Sequence, residues 1–122
     1  MTVASLLSVL LSSRTQSHIF HLQTSSYSAH VALQEYYEGI TTLIDSFAES
    51  YQGKYGIIKG YLPSTNIKEN QSTVEMVAYF EQLTTIVIDA SKEIEQDSYL
   101  LNQIDEIVAF IRTTTYKLRH LQ

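Results

Sequence analysis

The stretch AHVALQEYYEGITTLIDSFAESYQ, residues 29–52, decides the fold class. Within it Leu33, Tyr37, Ile40, Ile44, Phe47 and Tyr51 recur at alternating steps of four and three. That is the period of one apolar face of an α-helix. The rhythm returns in Met76, Phe80, Leu83, Val87, Ala90 and Ile94, and again in Leu101, Ile104, Val108, Ile111, Thr115 and Leu118. The N-terminal segment is apolar only in its first half, through Leu6, Leu7, Val9, Leu10 and Leu11, and turns polar from Ser12 to Ser17. The pattern predicts an all-α chain with helices over about 2–22, 27–52, 71–95 and 98–121.

Punctuation supports these limits. Ser25, Ser26 and Ser28 are candidate N-caps before the second helix. Gln52-Gly53 stands where a left-handed C-cap belongs. Residues 53–70 hold three of the four glycines and the single proline, Pro63, so they read as the one long connection. Asp97-Ser98 marks a short turn. Short, long and short connections suit an up-down four-helix bundle with one crossover, as in ferritin-like folds.

The 122 residues correspond to one domain of ordinary size. Without cysteine there is no disulfide framework, thiol chemistry or Cys-ligated metal site. A net charge of −5 argues against an electrostatic grip on nucleic acid. The leading apolar stretch lacks a basic n-region, since the first positive side chain is Arg14, and no apolar run approaches the ~20 residues of a membrane span. A cytoplasmic location is expected.

The residues able to carry chemistry fall in two places. His18, His21 and His30 lie within thirteen residues, with His18 and His21 three apart on one helix face. Asp45 and Glu49 form an i, i+4 carboxylate pair further along the helix that His30 opens. Fifteen residues separate His30 from Asp45, about 22 Å along a helix, so the two cannot hold one ion within a single chain. Asp45 and Glu49 also fall about 130° or more from the centre of the Leu33/Ile40/Ile44/Phe47 stripe, away from the core. A site using all of them joins the histidine end of one subunit to the carboxylate end of another. Antiparallel pairing of the first two helices about a two-fold axis does this and makes two identical sites. Mixed imidazole and carboxylate ligation suits Fe(II), with zinc or manganese as substitutes.

The run from His30 through Asp45 to Glu49 resembles the Dps-type miniferritins (DNA-binding protein from starved cells). Their second helix carries a His, an Asp fifteen residues later and a Glu four further on. In that family the ferroxidase site lies between two-fold-related subunits, with histidines from one and the Asp-x-x-x-Glu pair from the other. The family's remaining histidine stands in a His-Trp-Asn-like triplet ending the first helix. His18 lies at the family's usual twelve-residue distance from His30. His21, in Phe20-His21-Leu22-Gln23, better matches the local sequence and needs a turn three residues shorter. His21 is favoured, with His18 as a neighbour or substitute. The resemblance covers about residues 15–52, and is also to small Dps-like proteins of tailed phages, for which the location would be the host cytoplasm. It implies metal ligation by His21, His30, Asp45, Glu49 and His18, a homo-oligomer, oxidation of Fe(II) by peroxide or dioxygen, and iron storage and oxidative protection where a cage closes. Tyr27, Tyr36 and Tyr37 stand nearby as hydrogen-bond donors or one-electron relays. Leu22 occupies the place of the family's Trp, and there is no Lys-rich tail, so direct DNA binding is not expected; with no long apolar run, neither is a membrane partner.

The rival reading is a non-catalytic structural or interaction protein, such as a phage accessory protein, that keeps the bundle without a working metal site. Glu75, Glu81 and Glu106 lack the Glu-x-x-His partners of larger di-iron ferritins, and His120, beside Lys117 and Arg119, reads as a favourable charge at a helix C-terminus.

Overall fold

In the computed structural model, which describes residues 1–64, 66–69 and 71–122, the chain is all-helical, with no strand among the described residues. Four helices follow in order: α1 (Val3–Gln23), α2 (Tyr27–Tyr55), α3 (Thr73–Ser91) and α4 (Ser98–His120), with a 3-10 turn at Lys92–Ile94. The starts of α1, α2 and α3 are set by side-chain caps that satisfy otherwise unpaired backbone N–H groups. Thr2 accepts from Ser5 N at 3.0 Å and Ser26 from Ala29 N at 3.2 Å. Ser72 and Glu75 make a reciprocal capping box at α3.

The ends differ from the sequence expectation. Helix α2 runs on to Tyr55 rather than stopping at Gln52, and its C-cap is Gly56, at φ +88°, not Gly53. The extra turn is held both within α2 and from outside it. The Tyr51 and Tyr55 rings meet at 4.7 Å, and Lys54 and Tyr55 both bond Asp97. Gly56 N–H closes the helix on Gln52 O at 3.0 Å. The long connection is therefore residues 56–72. Helix α3 ends at Ser91 and tightens into the 3-10 turn, where a helix to residue 95 was expected.

Contacts at the two ends give the helix directions. The Met1 ammonium bonds Glu93 beyond the end of α3, and Asp97 at the start of α4 meets the end of α2. At the opposite end Lys117 of α4 pairs with Glu35 of α2, and Arg119 of α4 with Glu81 of α3. Helix α2 packs on α1 and α4, α3 packs on α4, and α1 meets α3 less extensively. The connection from α2 to α3 returns along α1 from one end to the other. Leu62 N donates to Ser8 Oγ at 2.9 Å, and Gln16 pairs with the Lys68 backbone through bonds of 2.7 and 2.8 Å.

The core follows the predicted stripes with a shift. Leu33, Ile40, Ile44, Phe47, Phe80, Val87, Ile104 and Ile111 are buried as expected. Each such side chain contributes roughly 1.5–3 kcal/mol through burial. Tyr37, Tyr51, Leu101 and Val108 are only half-buried, whereas Tyr36, Leu100 and Ile107 are fully enclosed. Tyr36 sits against Phe80 and Phe110 and reaches Ser13 Oγ at 2.6 Å. Ser13 uses its own proton on Leu10 O, so the phenol donates. Ser13, Gln16 and Ser17 explain the polar half of α1: all three are buried, and each bonds a backbone or side-chain partner.

Candidate metal site at the helix hairpin

The α1–α2 turn is only three residues long. Ser26 N donates to Thr24 Oγ1 at 3.1 Å, and Thr24 N closes α1 on Phe20 O at 2.9 Å. So tight a turn brings the last turn of α1 face to face with the first turn of α2. It sets the His21 and His30 rings 3.6 Å apart and 18° from parallel. His21 Nδ1 lies 2.7 Å from His30 O, and His30 Nδ1 lies 2.9 Å from His21 O. A carbonyl only accepts, so both Nδ1 atoms carry protons and donate. Such a bond directs the other ring nitrogen to serve as acceptor or ligand. No hydrogen bond of either Nε2 is found among the described residues; His21 is buried and His30 half-buried.

His18 is exposed and does not join that pair. It stacks on Tyr37 at 4.2 Å and stands edge-on to His21 at 5.9 Å. Tyr37 also meets His21 edge-on at 5.3 Å, so three imidazoles and one phenol form a single cluster. Tyr27, 81% exposed, lies 6.3 Å from His30. Tyr36, by contrast, is sealed in the core, and burial pushes its phenol well above the ordinary value.

Asp45 and Glu49 lie on the same unbroken helix as His30, about 22 Å further along. Both are exposed, and neither has a hydrogen-bond or ion-pair partner among the described residues. Among those residues no group of three or more His, Asp or Glu side chains is gathered to hold a metal within one chain.

One polar cluster escaped the sequence reading. Asp97 is buried to 2% side-chain exposure and bonded by Lys54 and Tyr55. The Lys54 ammonium, then the Tyr55 hydroxyl, holds its carboxyl below the usual range, and Asp97 in turn raises Lys54. In sequence Asp97 reads as turn punctuation, because its partners lie more than forty residues away.

Fold and cluster together define a four-helix chain with a hydrogen-bonded imidazole pair at one end of its first hairpin. The chain belongs to the family of unknown function DUF5856, whose model matches residues 21–118. That span includes His21, His30, Asp45 and Glu49. No curated protein and no solved structure matches the chain.

Proposed function

We propose that this chain is a ferritin-like iron-binding protein of the Dps type, with a site shared between two subunits. His21 and His30 of one subunit, flanked by His18, act there with Asp45 and Glu49 of the other. The observation that carries this reading is the reciprocal Nδ1–H bonding of His21 and His30. It leaves two imidazole Nε2 atoms oriented and without a hydrogen-bond partner among the described residues.

Three further features support it. Asp45 and Glu49 are exposed carboxylates without partners among the described residues of their own chain. The α2–α3 connection runs the length of α1, and a single long crossover is what separates ferritin-like bundles from simple up-down ones. Large apolar side chains stand exposed at both ends of the hairpin, Leu22 and Tyr27 at one and Ile57 at the other, where an antiparallel pairing would cover them.

The donor set fits Fe(II), which takes mixed nitrogen and oxygen ligands without thiolate; zinc and manganese suit it as substitutes. Iron here is the substrate, each ferrous ion giving one electron to peroxide or dioxygen. The chain's own part is to bind and orient. The backbone carbonyls of residues 21 and 30 hold the rings, and the carboxylates offset the charge of the cation.

The test is size-exclusion chromatography with light scattering and iron analysis after Fe(II) and peroxide are added to metal-free protein. One or two irons per subunit in a dimer or larger species supports the shared site, and many irons in a closed high-mass peak adds storage. An iron-free peak overturns the reading in favour of a structural module.

A further inference from the structure

Helix α4 carries a second uncovered face. Leu100, Ile104, Ile107, Ile111 and Leu118 point into the core. Ala109 lies opposite them, about 180° round the helix at 100° per residue, and is exposed. Ala109 is also the midpoint of Ser98–His120. Charge on this face divides about that point: Asp105 and Glu106 precede it, Arg112 follows it. All three are exposed and unpaired among the described residues, whereas Lys117 and Arg119 are engaged within the chain.

We propose that this face docks a second copy of the chain, antiparallel, about a two-fold axis passing beside Ala109. A pair centred there overlaps the whole of both helices, about 34 Å. Residues on the same side of this face whose distances from the centre match to within one residue, about 1.5 Å, then meet. Asp105 faces Arg112 of the partner subunit, and the symmetry repeats that pair. Asn102 faces Tyr116 of the partner subunit, and Glu106 faces Thr113 of the partner subunit, so no like charges oppose. The small side chain at Ala109 lets the axes approach to about 8 Å. A parallel pairing in register would instead set each charge against its own kind, which disfavours it. This seam uses none of the α1–α2 ligands, so it is independent of the proposed iron site; the two dyads together would build a tetramer or larger assembly.

The test is sedimentation equilibrium on D105R, R112D and the double variant, with far-UV circular dichroism to establish that each is folded. Each single variant is expected to halve the assembly mass, and the double variant to restore it. Unchanged mass in both single variants, or no recovery in the double, overturns the proposal. A second measurement uses the chain's lack of cysteine. On mild oxidation A109C is expected to give a covalent dimer and the α3 surface variant T85C not to. Equal cross-linking of both, or of neither, contradicts the seam.

Discussion

His21 and His30 hold each other through their backbones: the Nδ1 of each ring donates to the carbonyl oxygen of the other, at 2.7 and 2.9 Å, while the rings stack at 3.6 Å. The arrangement joins the last turn of α1 to the first turn of α2 and fixes the tautomer of both imidazoles. The same two rings are therefore a structural clasp and, under the proposed function, a pair of preset ligands.

Removing one ring separates these roles. His30→Ala is expected to abolish Fe(II) binding and to remove both the ring stacked on His21 and its Nδ1–H bond to the His21 carbonyl oxygen, while the His21 Nδ1 bond to the backbone of residue 30 remains, costing about 1–2 kcal/mol in a urea titration. Asp45→Ala is expected to abolish binding as well, yet to change stability by less than about 0.5 kcal/mol, because that side chain is exposed. Isothermal titration with Fe(II) under anaerobic conditions, beside the urea curves, checks both.

The buried Tyr36 hydroxyl donates to Ser13 Oγ. Tyr36→Phe is expected to cost about 1 kcal/mol, and Ser13→Ala a similar amount. The double variant should cost clearly less than the sum, since each single change already breaks the same bond. Strict additivity in thermal unfolding would show that the bond contributes nothing.

Two glycines of α2 should respond oppositely to alanine. At Gly53 a Cβ meets nothing within 4 Å, so Gly53→Ala is expected to stabilise the helix by about 0.5–1 kcal/mol. At Gly39 a Cβ would stand 2.5 Å from Phe110 Cζ, displacing a ring that stacks on Tyr36. Gly39→Ala is therefore expected to destabilise, by about 1–2 kcal/mol. In a Phe110→Ala background the same change should become stabilising. Had Gly53 been the left-handed cap its position in the sequence suggests, Gly53→Ala would destabilise instead.

The Asp97 cluster sets an acid limit. Its folded-state pKa is lowered by Lys54 and Tyr55, so the stabilisation is fully present above about pH 4 and is lost as pH falls through the depressed value. Lys54, raised by the same contact, loses its share as pH rises above about 10. Asp97→Asn is expected to flatten the fall in melting temperature below pH 4. Equal slopes for the two proteins would place the acid sensitivity elsewhere.

Much of this was legible in the sequence, for identifiable reasons. Leu33, Ile40, Ile44 and Phe47 share one narrow face of α2, and a single helix suffices to predict their burial. The choice between Tyr36 and Tyr37 was not legible, because both lie near the edge of that face and the rings of Phe80 and Phe110 decide which is enclosed. The burial of polar side chains in the second half of α1 was not legible, since Gln16 finds its partner at Lys68 and Ser13 at Tyr36, far away in the chain. The extra turn of α2 depends on Asp97 in the same way. At the site, the shortness of the turn after Thr24 explains why His21, and not His18, faces His30. The distance from His30 to Asp45 followed from helical rise alone.

If one site draws on two chains, mixing two defective variants restores part of the iron binding that each alone has lost. His30→Ala and Asp45→Ala chains, unfolded together in equal amounts and refolded, form hybrid dimers on statistical grounds. Each hybrid carries one doubly defective site and one intact site, so about a quarter of the wild-type iron binding should return. Binding that stays at zero in the mixture, with dimers present by light scattering, would show that no site is shared between two chains.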